Sequence, residues 1–267
     1  MNLELFIARR IAHNGSGNRP GVMVRIAVVA VALSVTVMIL ALAVIMGFKR
    51  EITDRVTGFS AQVEVADLRS AGSIESVPVL RSEQLERTIR SAGEVVRLTP
   101  YAVKGGVVKT PDAILGVMLK GVDGGYEWSF FRDHLLEGEL PRVGDSIRTK
   151  EILISRSVAQ EMGLAPGDKV EMLFVESEKS PRRDRFKVSG IYATGMDEFD
   201  RSVAMTDLRN VQRLADWSSD EVSGYEVTLA DFSQAEDFSR RLNDMLLDSD
   251  REAFWDLTAR SAQERFP

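Results

Sequence analysis

A long uncharged stretch near the N-terminus dominates the pattern of apolar and polar positions. From Ile26 to Phe48 the chain has 23 residues without a charge, and Ser34 and Thr36 are their only polar side chains. At roughly 1.5 Å per residue, a helix of this length extends about 35 Å, which exceeds the hydrocarbon core of about 30 Å. The pattern therefore predicts a transmembrane helix, which we assign to residues 22–48.

Two other interpretations of this stretch fit less well. The motif Ala41-Leu42-Ala43 resembles a signal-peptide cleavage site, but the apolar run continues for five residues beyond it. A buried core helix would normally carry a polar stripe, which this stretch lacks. We therefore expect a permanent membrane anchor.

The flanking charges indicate the orientation of the span. Four basic residues precede it and three follow it closely: Arg9, Arg10, Arg19 and Arg25, then Lys49, Arg50 and Arg55. By a narrow margin, the positive-inside rule favours a cytoplasmic N-terminus, residues 1–21. An apolar face of Leu3, Phe6, Ile7 and Ile11 suits an amphipathic helix on the membrane surface, or a short helix packed on the protein.

The remainder of the chain alternates between strand-like and helix-like patterns. Short apolar and alternating runs predict strands at 62–65, 95–98, 106–109, 113–122, 152–154, 169–175, 185–193 and 224–229. Capping residues and apolar spacing predict helices at 82–92, 126–136, 155–162, 207–215 and 233–247. Three of these helices have predicted N-caps at Ser82, Ser155 and Thr206. The side chains predicted to face the core are Leu85, Ile89, Trp128, Phe131, Leu135, Phe238, Leu242 and Leu246.

The order of these elements predicts an α+β fold class. One transmembrane helix is followed by an outer domain, 49–267, which contains two α/β subdomains. If the strand at 224–229 rejoins the first sheet, residues 60–123 and 224–267 form a split βαβ unit. Residues 124–223 then form a second unit that is inserted within the first.

Composition and charge argue against several functions. The chain has no cysteine, which excludes disulfides, thiolate metal sites and a cysteine nucleophile. Its net charge is −6. Four of the 34 basic residues and one of the 40 acidic residues precede residue 49, so 30 basic and 39 acidic residues remain after it. Nucleic-acid binding requires a basic face that neutralises phosphates, and a domain this acidic argues against that role.

The few candidates for chemistry have simpler structural explanations. His134 is the single histidine after the span, and an isolated histidine is more often structural than catalytic. The carboxylates Asp197, Glu198 and Asp200 could act as an acid–base pair or bind a divalent cation. A charged turn explains them more simply, and residues 123–125 also match a turn. We expect no catalytic residues, no bound cofactor and no metal.

Four sequence blocks add a resemblance that covers nearly the whole chain. They are MGFKREITDRVTG (46–58), LKGVDGGYEWSFFRDHLLEGELP (119–141), EILISRSVAQEMGLAPGDKVEMLF (151–174) and FKVSGIYATGMDEFDRSVAMTDLRNVQRL (186–214). In this order and spacing they resemble the LolC/LolE group of the FtsX-like permease superfamily. Members of this group are permease subunits of lipoprotein-releasing ABC transporters.

The resemblance implies a location, a set of partners and a mechanism. The outer domain would be a MacB-like core domain in the periplasm, anchored in the bacterial inner membrane. The partners would be a cytoplasmic ATPase subunit that binds ATP, a second permease subunit in a homo- or heterodimer, a lipoprotein substrate and a periplasmic carrier. ATP hydrolysis would move the periplasmic domains by mechanotransmission, so that lipoproteins leave the inner membrane. The carboxylates near residue 200 would then form a structural turn.

The chain departs from the family pattern in two ways. The family has four spans and this chain has one, so we expect it to be the N-terminal portion of a longer permease. One subunit type of the family grips the carrier with an apolar-tipped hook, whereas the matching loop here, 176–184, is short and wholly polar. We therefore expect that this loop does not hold the carrier, and that the chain is more similar to the lipoprotein-receiving subunit.

Two sets of residues follow as candidate sites. The outer-leaflet half of the span is expected to contact acyl chains of the substrate, although each of its residues could equally face bulk lipid: Leu40, Leu42, Val44, Ile45, Met46 and Phe48. The polar loop is expected to contact a partner protein through Glu176, Lys179, Arg182 and Arg183.

Three alternatives remain open at this stage. The first is a MacB-type efflux permease, which the sequence blocks separate only weakly from the lipoprotein-releasing branch. The second is a single-span receptor or scaffold whose outer domain binds a partner. The third is a membrane-anchored hydrolase that uses Asp197 and Glu198.

Overall fold

The computed structural model describes residues 3, 6–7, 20–59, 61–70, 75–110, 113–144, 146–175, 181–249 and 254–265. The chain divides into two compact units, Met1–Asp54 and Arg55–Pro267. Most of the predicted N-terminal helix lies outside the described residues, although Leu3, Phe6 and Ile7 are helical and exposed.

One long helix, α1, contains the predicted span and extends beyond it. It runs from Pro20 to Phe59, so it continues for 11 residues after the last residue of the uncharged stretch. Proline suits the first turn of a helix because its fixed φ is helical and its missing N–H is not needed there. Inside the apolar part, the Thr36 hydroxyl donates to the Ala32 carbonyl oxygen at 2.8 Å, so this polar group is satisfied within the helix.

Twelve strands, seven further α-helices and two short 3-10 helices, Leu68–Ser70 and Phe232–Gln234, are described in the remainder of the chain. The strands are β1 (Val63–Asp67), β2 (Val79–Leu80), β3 (Val95–Lys109), β4 (Ile114–Val122), β5 (Leu135–Gly138), β6 (Glu151–Ser155), β7 (Lys169–Phe174), β8 (Arg182–Tyr192), β9 (Val203–Asp207), β10 (Glu221–Val222), β11 (Gly224–Leu229) and β12 (Leu257–Ser261). The helices are α2 (Glu83–Ser91), α3 (Ser129–Asp133), α4 (Arg156–Met162), α5 (Asp197–Asp200), α6 (Leu208–Ala215), α7 (Ala235–Ser249) and α8 (Ala262–Arg265). The predicted α+β class with one N-terminal apolar helix is confirmed.

Ten of the strands form one sheet. Its order is β12-β1-β11-β3-β4-β9-β6-β8-β5, and β7 pairs with both β3 and β8. The β4–β9 and β6–β8 pairs are parallel, while the other described pairs of this sheet are antiparallel. Strands β2 and β10 form a separate antiparallel pair.

The sheet passes through both predicted parts of the outer domain. The strands of 60–123 and 224–267 are neighbours at one side of the sheet, and those of 124–223 follow at the other side. The two groups join where β4 pairs with β9 and where β3 pairs with β7. The boundaries at 124 and 223 remain a prediction, because backbone pairing is continuous across them.

The main core forms where two helices pack against the sheet. Ser82 accepts a hydrogen bond from the Leu85 N–H at 3.1 Å and thereby caps α2 as predicted. The predicted inner residues of α2 and α7 are all at most 1% exposed: Leu85, Ile89, Phe238, Leu242 and Leu246. They share one apolar cluster with Val63, Val65, Tyr225 and Val227 of the sheet. Each fully buried side chain of this size stabilises the fold by about 1.5–3 kcal/mol.

A second, smaller cluster corrects one predicted helix. Residues 126–136 were expected to be helical, but only Ser129–Asp133 are, and Leu135–Gly138 form β5. Phe131 is fully buried with Tyr192, at a ring-centroid distance of 5.1 Å, and Tyr126 and Trp128 pack around it. The apolar spacing of this segment therefore reflects aromatic packing over the sheet and not a helical period.

Three further predictions about elements were wrong. The strands expected at 95–98 and 106–109 are one continuous strand, β3. Proline has no N–H to donate, but at Pro100 β3 is paired on one side only, with β11, since its pairing with β4 starts at Tyr101. The strand can therefore continue through the proline. Helix α6 is capped by Asp207 and not by Thr206, whose hydroxyl donates to the Glu151 carbonyl oxygen at 2.8 Å. Strands β9 and β12 were not predicted at all.

Candidate membrane and partner-contact site

The apolar part of α1 presents its side chains outward on every side. Every large apolar side chain from Val22 to Phe48 is at least 43% exposed. Residues Gly21–Phe48 are long and apolar enough to cross a membrane, a property that a signal sequence would share. In the part of the chain that the structure describes, this is the one such helix.

The six predicted lipid-contact residues do not form a single stripe. Their side chains are 48–67% exposed. At 100° per residue, Leu40, Val44 and Phe48 lie on one side of α1, whereas Leu42 and Met46 lie on the opposite side and Ile45 between them. The geometry of α1 alone therefore offers two opposite faces for substrate contact.

The predicted partner-contact loop is partly a strand. Glu176 and Lys179 lie outside the described residues, whereas Arg182 and Arg183 begin β8 opposite Phe174 and Leu173 of β7. The loop was expected to extend to residue 184, but β8 already starts at Arg182, where its backbone pairs with Phe174 of β7. Arg182 forms an ion pair with Asp216 and donates to the Arg213 carbonyl oxygen at 3.2 Å.

Strands β7 and β8 form an antiparallel hairpin, and its outer side is basic, a feature that the sequence did not lead us to predict. Arg183 and Arg185 are more than 70% exposed, and both lie within 4 Å of Glu171. Lys169 lies directly opposite Lys187 in the register, and both are exposed. The basic residues at 183, 185 and 187 have the period of two that places them on one side of a strand, which was the available signal.

The candidate carboxylates divide into one buried residue and two at the start of α5. Asp200 is 5% exposed, and its carboxylate accepts hydrogen bonds from the Thr194 hydroxyl at 2.8 Å, from the Thr194 N–H and from the Gly195 N–H. The Ser155 hydroxyl also donates to the Asp200 carbonyl oxygen. The side chains of Asp197 and Glu198 lie outside the described residues. Because backbone donors occupy the Asp200 carboxylate, the geometry favours a structural turn over catalysis.

The other candidate residues have structural partners as well. The His134 ring nitrogen Nδ1 lies 2.8 Å from the Phe130 carbonyl oxygen, and the centroids of the two rings are 4.4 Å apart with their planes tilted by 33°. Asp123 accepts a hydrogen bond from the Gly125 N–H at 3.0 Å, which closes the predicted turn. Among the described residues, no group of three or more potential ligands could hold a metal ion.

One buried carboxylate has a clearly perturbed ionisation. Burial of Asp207 disfavours its charged form, but hydrogen bonds from the Arg209 side chain, the Arg209 N–H and the Gly144 N–H outweigh this effect and lower its pKa. Asp207 also caps α6. The charge of this residue therefore stabilises the joint between β9 and α6.

Comparison with known proteins identifies the family of the chain. The family model of the MacB-like periplasmic core domain matches residues 26–245. The chain belongs to this family. Membership agrees with the resemblance carried by the four sequence blocks and confirms the MacB-like core domain that this resemblance implied.

The curated relatives have consistent descriptions. The chain is 28% identical over 224 residues to the lipoprotein-releasing system transmembrane protein LolC of Xylella fastidiosa (strain 9a5c), covering 78% of this chain and 50% of the relative. It is 25% identical to LolC of Neisseria meningitidis serogroup B, covering 80% of this chain and 50% of the relative. It is 22% identical to the lipoprotein-releasing system transmembrane protein LolE of Haemophilus influenzae, and the match covers 86% of this chain and 56% of the relative. The chain spans about half the length of the curated relatives it matches.

Similar solved structures include the periplasmic region of MacB from Actinobacillus actinomycetemcomitans. It has a TM-score of 0.48 and 14% identity, and the match covers 75% of this chain and 88% of that one. The extracellular domain of the transporter YknZ from Gram-positive bacteria has a TM-score of 0.47 and 14% identity, and the match covers 74% of this chain and 99% of that one.

Proposed function

We propose that this chain acts as a permease subunit of an ABC transporter that extracts lipoproteins from the inner membrane for transfer to a periplasmic carrier. The observation that carries the proposal is the family match over residues 26–245, together with relatives described as lipoprotein-releasing transmembrane proteins. The exposed apolar surface of α1 is suited to acyl chains, since it has no charge to desolvate.

In this proposal, the chain provides binding surfaces and a moving domain, and another subunit hydrolyses ATP. A cytoplasmic ATPase would bind and hydrolyse ATP, and a second permease subunit would complete the membrane part. The movement would reach the periplasmic domain by mechanotransmission through α1. On this view, Asp200 stabilises a turn and takes no part in a reaction.

Site-specific crosslinking tests the substrate contact. Photo-crosslinkers would replace Leu40, Val44 and Phe48 on one side of α1, and Leu42 and Met46 on the other, in inner membranes that contain the assembled transporter and a lipoprotein. We expect one of the two sides to capture lipoprotein, and Val28, nearer the N-terminal end of the span, to serve as the low-capture control. Equal capture at all positions, or none at any, would contradict the proposal.

The basic hairpin supports a second part of the proposal, a charge-based contact with a partner protein. Charged contacts on an exposed surface increase association rates and weaken with salt, whereas an apolar hook would bury a hydrophobic tip. We propose that Arg183 and Arg185 contact an acidic partner surface, and that the hairpin does not grip the carrier by an apolar hook. This expectation agrees with the polar residues at 176–184.

Charge reversal tests this contact. In the Arg183→Glu/Arg185→Glu variant, we expect slower association with the second permease subunit or with the carrier at low salt, and little difference at high salt. Arg240→Glu on the exposed side of α7 is the matched control. A change that persists at high salt, or no change toward either partner, would refute a charge-based contact.

If the substrate were a small molecule, as in a MacB-type efflux permease, purified transporter would show ATP hydrolysis stimulated by that molecule. It would then show no stimulation by lipoprotein. This outcome would support the efflux alternative and would leave the family membership unchanged.

A further inference from the structure

The first and last described strands of the domain after α1 lie side by side. Strand β1 follows α1, and β12 pairs antiparallel with β1 over its whole length, from Val63 opposite Ser261 to Asp67 opposite Leu257. The pairing continues into α8, where the Ala262 N–H donates to the Gln62 carbonyl oxygen at 2.8 Å. The beginning of β1 is therefore adjacent to the end of β12.

A mostly buried arginine joins these two segments. The Arg265 guanidinium donates to the Ala61 carbonyl oxygen at 2.6 Å and to a Glu64 carboxylate oxygen at 3.1 Å. The Arg265 side chain is 13% exposed and that of Glu64 is 17% exposed. The Tyr101 hydroxyl donates to the other Glu64 oxygen. Charge-assisted hydrogen bonds in such a sheltered position are stronger than those of an exposed ion pair.

Neighbouring contacts hold both partners of this pair in place. Glu264 accepts hydrogen bonds from the Ser261 N–H at 2.7 Å and from the Ser261 hydroxyl at 3.2 Å, which fixes α8 at the end of β12. Burial and the Glu64 carboxylate raise the pKa of Tyr101, so this phenol stays protonated and remains a hydrogen-bond donor. Arg265 thus reaches from a fixed helix to a fixed strand.

The position of the pair suggests a mechanical role. Strand β12 is an edge strand of the sheet, and among the described residues its one partner strand is β1. The ends of edge strands open more easily than central strands. Arg265 lies where opening would begin, at the point where the two segments meet.

We propose that Glu64 and Arg265 form a latch that couples the segment after α1 to the segment after β12, so that a displacement arriving through α1 moves both connections of the domain together. The inference rests on the proposed function, because it assumes that both segments connect to the membrane part of a transporter. Arg265 is a positioning residue, since it would act through β12 and would touch no substrate.

Hydrogen exchange of the full chain in detergent tests whether the latch holds β12. In Arg265→Gln, we expect the β12 amides bonded to β1 to exchange at least tenfold faster, while the β6 and β8 amides stay unchanged. Arg265→Lys should give an intermediate effect, because it keeps the charge but loses the second hydrogen bond. Arg240→Gln, which loses only exposed ion pairs of α7, is the control. Equal β12 exchange in Arg265→Gln and Arg240→Gln would overturn the latch.

The assembled transporter tests whether the latch transmits movement. We expect Arg265→Gln to lower the number of lipoproteins released per ATP hydrolysed, a ratio that mere loss of protein would not change. Glu64 lies opposite Arg260 in the register, so Glu64→Cys/Arg260→Cys can form a disulfide that replaces the latch in this otherwise cysteine-free chain. Adding this pair to Arg265→Gln should restore the ratio when oxidised but not when reduced.

The possible failures are distinguishable. If β12 opens in Arg265→Gln and the ratio of release to hydrolysis is unchanged, the latch does not transmit movement and the inference fails. If the wild-type transporter releases no lipoprotein at all, the proposed function fails, whereas the exchange result still reports on the latch itself.

Discussion

Helix α1 and the periplasmic domain use the same apolar residue types in opposite ways. In α1 the large side chains are exposed along the whole uncharged stretch, whereas in the domain Phe238, Leu242 and their neighbours are almost fully buried. Exposed apolar area costs about 25 cal/mol per Å² in water, so the surface of α1 is stable only in an apolar surrounding. The difference shows that the two regions suit two different surroundings, an apolar one for α1 and water for the domain.

The largest expected effect would break this contrast at α1. In Val35→Arg/Ile39→Arg, each arginine near the middle of the span costs about 2.5–3.5 kcal/mol of membrane insertion. We expect most of the protein to become extractable from membranes by alkaline carbonate, whereas the Val35→Leu/Ile39→Leu control stays in the pellet. Retention of the double-arginine variant in the pellet would show that α1 does not anchor the chain.

The next prediction tests the core of the domain. Phe238→Ala removes a fully buried ring from α7, so we expect a loss of about 3–5 kcal/mol in the free energy of unfolding. Leu247→Ala changes an exposed residue on the same helix and should change the stability by about 0.5 kcal/mol or less. Denaturant unfolding followed by tryptophan fluorescence measures both. Similar losses in the two variants would mean that the two faces of α7 are not distinct.

A third prediction separates a buried carboxylate from an exposed one. Asp200→Asn places an amide group among the donors from Thr194 and Gly195, so we expect a loss of about 2–3 kcal/mol in unfolding free energy. Asp133→Asn, in an exposed position of α3, should be nearly neutral. An Asp200→Asn variant with wild-type stability would reopen a role for this carboxylate beyond the turn.

The smallest expected effect concerns the pH dependence of Asp207. Because its pKa is lowered in the folded protein, its charge stabilises the fold above the unfolded pKa of about 3.9, and this contribution is lost as the pH falls through the lower, folded pKa. Asp207→Asn keeps the capping oxygen but loses the charge, so we expect about 1–2 kcal/mol less stability at pH 7. The difference from wild type should shrink below about pH 4, and a constant difference down to pH 2 would contradict this account.

Local signals predicted the elements that are determined locally. The cap at Ser82, the cap at Ser155 and the apolar side of α7 were all predicted, because neighbours in sequence define each of them. The uncharged stretch of α1 was also predictable from local sequence, because its length and composition alone indicate the helix. The family resemblance was available from short sequence blocks and was confirmed by the match over 26–245.

Features that depend on distant partners were not predicted. The position of β9 depends on pairing with β4 and β6, and that of β12 on pairing with β1, so neither strand has a strong pattern of its own. The capping role passed from Thr206 to Asp207 because the Thr206 hydroxyl bonds to Glu151, which is 55 residues away in sequence. The basic side of the hairpin was missed because residues 182–184 were assigned to a loop, although their inner charges are paired across the fold.

Continuous pairing through β3 limits how the domain can be divided. Gly106 of β3 lies so close to the Phe174 ring of β7 that a methyl group at that position would come within 2.6 Å of the ring. The strands of 124–223 depend on β3 and β4 for hydrogen-bonding partners at two places. Excised on its own, this part would leave β7 and β9 with open edges, which promote aggregation. The inserted part therefore cannot be transferred on its own. A chimera of two homologous proteins would have to exchange the whole domain.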